Sequence, residues 1–93
     1  MKTVVIQIGN TDNKLSQQTW ARFCVDVGSI VKAYANEIHF AGGPSTDSSY
    51  QNMAFIFTCD ENHLIGLRSV LRNCRAAYSQ DSIAYMEGNI NLV

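Results

Sequence analysis

Two segments of this chain repeat their apolar residues at helical steps, and four short strand-like runs bracket them in the order β-α-β-β-α-β. No single motif constrains the fold as much as that order. A strand, a crossing helix and a second strand returning to the same sheet wind right-handed. Two such units around one antiparallel sheet give an α+β, ferredoxin-like βαββαβ two-layer sandwich: a four-stranded antiparallel sheet with two helices on one face.

The first stripe runs Trp20, Phe23, Cys24, Val27, Ile30, Val31 and Tyr34, at steps of three and four. Ser16 is a suitable N-cap, and Leu15 before it is placed to staple onto Trp20. Asn36 is expected to end this helix in the left-handed conformation that asparagine tolerates. Asp60 is expected to cap the second helix, whose stripe runs Leu64, Leu67, Val70 or Leu71, Cys74 and Ala77 or Tyr78.

Residues 3–8, 37–41, 53–58 and 82–87 read as strands, with Gly9-Asn10, Gly42-Gly43-Pro44 and Gly88-Asn89 as the breaks after three of them. Strands one and three are central in this arrangement. That suits 3–8 and 53–58, the most continuously apolar runs, whereas the other two carry Glu37, His39 and Glu87. At 93 residues the chain has room for one domain, spanning 1–93, and not for two.

Both helices cover the same side of the sheet, so the other side is open and should alternate apolar with polar residues. Residues 53–58 break that rule: Met53, Phe55 and Phe57 point one way, Ala54, Ile56 and Thr58 the other, and neither set suits water. If the larger side chains face outward, the open face carries Val5, Gln7, His39, Phe55 and Phe57, with Tyr85 or Met86 at its edge. A contiguous apolar face of that kind marks a binding surface. The tail 90–93 is a further candidate, able to pair with a neighbouring chain's strand.

Two more segments stand out. The loop 42–51 is long for a compact domain and carries Tyr50, a possible aromatic anchor for recognition. Arg68, Arg72 and Arg75 share the outer face of the second helix and form a basic ridge suited to an acidic partner or a phosphate-bearing ligand.

Other classes are excluded by what the chain lacks. Seven basic against eight acidic residues give a net charge of -1, too little positive charge to hold nucleic acid or an anionic membrane. No run reaches the roughly 18 apolar residues of a membrane span. The run after Met1-Lys2 is too short for a signal peptide. Three scattered cysteines, Cys24, Cys59 and Cys74, suit a reducing, cytoplasmic setting better than a disulfide framework. Two histidines and these cysteines lack metal-ligand spacing, so no metal and no cofactor is expected. Gly9-Asn10-Thr11-Asp12-Asn13 reads as a turn and not a phosphate loop, because it has one glycine and a repelling aspartate.

Residues 51–58 match the signature strand of RNA-recognition modules only at Ala54, Phe55 and Ile56, without the basic position, the glycine or the first stacking aromatic. The arrangement is similar to that of dimeric α+β barrel proteins, which pair two such sheets face to face. That resemblance is architectural; it implies a homodimer and transfers no active-site residue.

The leading expectation is a small non-enzymatic interaction protein that binds and blocks a protein partner, as inhibitors and immunity proteins do. The alternative is a small-molecule binder with its ligand in a cleft of a homodimer. The third is a small enzyme of the dimeric barrel kind using His39 as general base.

Overall fold

The computed structural model describes residues 1–44 and 51–93. Its elements are β1 (Lys2–Gly9), α1 (Gln17–Tyr34), β2 (Glu37–Gly42), β3 (Asn52–Cys59), α2 (Leu64–Ala77) and β4 (Ala84–Gly88), with a one-turn 3-10 helix over Glu61–His63 leading into α2. The strands form one antiparallel sheet in the order β2-β3-β1-β4. This is the ferredoxin-like α+β sandwich expected from the element order, with β1 and β3 central.

Each helix begins and ends for a local reason. Ser16 accepts a hydrogen bond from the Thr19 amide at 3.2 Å and so caps α1. Asp60 caps the 3-10 turn, accepting from the Asn62 amide at 2.9 Å, and α2 continues from that turn. Asn36 does not take the left-handed conformation. Ala35 is already extended, and the Asn36 amide donates to the Thr58 carbonyl at 2.7 Å, so the chain passes from helix to sheet without a reversal. The left-handed position belongs to Ser79, after α2, where the Gln80 amide reaches back to the Arg75 carbonyl at 3.0 Å.

The core lies between the sheet and the helices. Phe23, Val27 and Val31 of α1 and Leu64, Leu67 and Leu71 of α2 are buried against Val4, Ile6, Ile8, Phe55, Phe57 and Cys59. Each stripe read from the sequence thus has three buried members, while Trp20, Cys24, Ile30, Tyr34, Cys74 and Tyr78 are partly buried against the core. Register explains the sheet's contribution: Val4 opposes Phe57, Ile6 opposes Phe55 and Ile8 opposes Met53, so the three pairs share one face.

This corrects the expectation that Phe55 and Phe57 line the open face. They are 3% and 0% exposed and lie under the helices. The larger set goes inward because it shares a face with Val4, Ile6 and Ile8 under the helices, where the Phe55 ring packs beside Gly28 of α1.

Two glycines fix the exit of β2. A β-carbon on Gly43 would sit 2.0 Å from the Asn52 carbonyl oxygen, so only glycine fits where the chain crosses β3. One on Gly42 would meet the Phe40 ring at 3.3 Å, so the missing side chain is the space that ring occupies.

The segment 42–51 is not all loop. Gly42 closes β2, and Gln51 is buried beside Asn10. Asn10 is itself 1% exposed, and its side-chain amide joins both carbonyl and amide of Leu15 to the Gln51 side chain. Gly88 likewise does not interrupt β4; it is the last ladder residue, opposite Thr3. Ser82 and Ile83, expected to open the fourth strand, precede it.

Candidate functional site

Two surfaces stand apart from the core, one on each side of the sheet. The first is the face the helices leave open. Thr3, Val5 and Gln7 of β1 share it with Thr58, Ile56 and Ala54 of β3 and with Gly88, Met86 and Ala84 of β4. On β2 the ladder is irregular between Ile38 and Phe40: Ile38 opposes Phe57, whereas Phe40 opposes Ile56. His39 is the extra residue. The bulge changes the parity of the strand, so Ile38 lies on the helix side and Phe40 on the open side.

The consequence is one apolar row across all four strands: Phe40, Ile56, Val5 and Met86. Its ends protrude, with Phe40 49% and Met86 64% exposed, while Val5 and Ile56 are half-buried between them. Gln7 lies beside the row and is exposed. Glu37, at the start of β2 opposite Thr58, is the charged residue among the paired positions of this face. Lys2 and Glu87 oppose Cys59 and Val4, on the helix side.

The expected surface is thus partly present. Val5 and Gln7 are on it, and so is Met86, whereas Phe55 and Phe57 are in the core. His39 is exposed at the bulge. Tyr50 lies outside the described residues. Sequence reasoning missed Phe40 and Ile56. The alternation of Ala54, Ile56 and Thr58 opposite Val5 could have found Ile56, but nothing in 37–41 announces a bulge.

The second surface is a cleft of about 450 Å³ between α2 and the segment that enters β4. Arg68, Arg72 and Arg75 line one wall, with Leu71, Ile83 and Tyr85 as its apolar part. The three arginines are held differently. Arg68 donates from Nη1 to both oxygens of Glu87, at 3.3 and 3.2 Å, and lies 5.9 Å from the Tyr85 ring centroid. Arg75 donates to the Gln80 carbonyl at 2.8 Å. Arg72 is exposed. Neither Arg72 nor Arg75 has a carboxylate at ion-pair distance among the described residues.

Glu87 is the organising acid of this cleft. Tyr85 and Glu87 are two apart on β4 and share the helix side, and the Tyr85 hydroxyl donates to Glu87 at 2.6 Å. Burial, and then the Glu87 carboxylate beside it, push the Tyr85 phenol well above the usual tyrosine range. Asp81, at the other end of the cleft, is held by Lys14 at 3.0 Å; that bond lowers the carboxyl and raises the amine.

The cysteines belong to neither surface's chemistry. All three are free thiols, and burial raises each of them, so they are held protonated. Among the described residues no three His, Cys, Asp or Glu side chains gather as metal ligands, and no helix is long and apolar enough to cross a membrane. No protein-family model matches this chain, and no curated protein matches its sequence.

Proposed function

We propose that this chain is a non-catalytic protein-association module whose contact surface is the open sheet face, and that it pairs there with a second copy of itself. One observation carries the reading: the row Phe40–Ile56–Val5–Met86 crosses the whole sheet and the helices leave it uncovered. The near absence of charge argues for a like partner. Two copies brought face to face about a two-fold axis lying between the sheets set row on row, with no like charges opposed at the centre. A partner captured by charge would instead need an oppositely charged face to steer it.

The magnitudes favour a reversible dimer. Burying the exposed parts of Phe40 and Met86 on both copies contributes on the order of 3–7 kcal/mol at about 1.5–3 kcal/mol per fully buried side chain, and the half-buried Val5 and Ile56 add to it. Association opposes this with a loss of freedom of about 4–15 kcal/mol. Such a pair separates on dilution. Blocking a foreign protein, the role of an inhibitor, is the same surface turned to a chain with a matching uncharged patch.

Sedimentation velocity across a roughly hundredfold dilution tests the pairing. The wild-type chain should pass from dimer to monomer. Met86→Asp and Phe40→Ser should keep it monomeric at every concentration with unchanged far-ultraviolet circular dichroism. A wild-type monomer throughout, or a dimer that both variants leave intact, overturns self-pairing.

A further inference from the structure

We infer that the cleft between α2 and β4 binds a small organic oxyanion, a phosphate monoester or carboxylate carried on an apolar or aromatic body. The site is separate from the open sheet face and does not depend on the pairing proposed there.

Charge comes first. Arg68, Arg72 and Arg75 follow one another at steps of four and three on α2, where like charges repel. Glu87 pairs with Arg68, and Asp81 pairs with Lys14 while also feeling Arg75 at longer range, so Arg72 and Arg75 share one concavity without a carboxylate at ion-pair distance among the described residues. An anion seated between them relieves that repulsion. Guanidinium groups suit it, because each offers several N–H donors in a planar fork that matches carboxylate and phosphate oxygens.

Preorganisation comes second. The Gln80 carbonyl uses one Arg75 nitrogen at 2.8 Å and fixes the group at the rim, leaving its other donors free for a ligand. The Glu87 clamp joins Arg68 on the arginine wall to Tyr85 on β4 and so stiffens the cleft from its β4 side. Ordering these side chains in advance lowers the entropy lost on binding.

The third point is shape. Leu71, Ile83 and Tyr85 give the cleft an apolar side, so a bare inorganic anion would leave half of it unused. Asp81 lines the cleft too and repels an anion from its end, so the charged group sits between Arg72 and Arg75 toward the Arg72 side, with the body along Ile83 and Tyr85.

Amide chemical shifts of the intact chain, titrated with phenyl phosphate, benzoate and inorganic phosphate at about 0.15 M salt, decide the matter. Saturable shifts at Leu71, Ile83 and Tyr85 with phenyl phosphate or benzoate, and weaker ones with inorganic phosphate, support the site. The tighter of the two organic probes assigns the ester or the acid. Arg72→Gln, which removes an exposed side chain and should leave the spectrum otherwise intact, should weaken that probe roughly tenfold or more, as should Arg75→Gln. No saturable shift with any probe overturns the inference. So do shifts equal for organic and inorganic anions, or an acidic peptide that perturbs these residues while both organic probes leave them unmoved.

Discussion

Replacing Phe57 by alanine should destabilise the fold by about 3–5 kcal/mol, whereas replacing Phe40 by alanine should cost less than about 1 kcal/mol. The two rings lie on neighbouring strands and differ in which face they occupy. Phe57 is 0% exposed, paired between Val4 and Ile38 on the helix side, and its loss leaves a cavity that the buried leucines and valines of both helices cannot fill without moving. Phe40 stands on the open side over Gly42, and its truncation removes surface that already meets water in the single chain. Small domains hold roughly 5–15 kcal/mol in all, so Phe57→Ala consumes a large part of the total. Urea unfolding, read at dilutions where the chain is monomeric, separates them. Equal losses would mean that the sheet does not present these two faces.

The Asn10→Ala variant should be destabilised by about 2–4 kcal/mol although only a short side chain is removed. Its amide donates to the Leu15 carbonyl and to Gln51 Oε1, each at 2.9 Å, and its oxygen accepts from the Leu15 amide at 2.9 Å. Truncation leaves polar groups buried without partners, the costly half of any hydrogen-bond deletion. It also removes the side-chain link from the entry of α1 to the start of β3, leaving the Gln17–Gln51 bond and the residue-10 backbone amide to hold the two together. The Asn10→Asp variant retains the acceptor but sets a buried carboxylate against the Leu15 carbonyl and Gln51 Oε1. Such a carboxyl has a folded-state pKa above its unfolded value, so its penalty should be small below about pH 4 and grow toward neutrality. Unfolding of both variants against wild type at pH 4 and pH 7 checks the pair of expectations. A loss below about 0.5 kcal/mol for Asn10→Ala would deny Asn10 this role.

Phe40 and Asn10 also mark where the sequence was legible and where it was not. Periodicity made the helices readable: Phe23, Val27, Val31, Leu64, Leu67 and Leu71 bury as their spacing requires. Strand order followed from the β-α-β-β-α-β connectivity, and the apolar content of 3–8 and 53–58 agreed with it. Facing was harder. In residues 53–58 both alternating sets are apolar, and the choice between them shows in the register with Val4, Ile6 and Ile8, residues far away in the chain. On β2 the bulge at His39 reverses parity, so Phe40 is found on the open face only once the ladder is seen. Asn10 looked like a turn residue because its partners, Leu15 and Gln51, are brought to it by the fold. The arginines were legible as one helix face, but Glu87, which fixes Arg68 and Tyr85 beside the cleft, reaches Arg68 from a strand nineteen residues further along the chain.

Isotope-filtered nuclear Overhauser spectroscopy on a mixture of labelled and unlabelled chain tests the open face most directly. Cross-peaks between copies should arise from the methyl groups of Val5, Ile56 and Met86 and from the Phe40 ring. A concentrated sample that yields none, or whose cross-peaks arise instead from Val25 and Ile65 on the helices, would contradict association through the open sheet face.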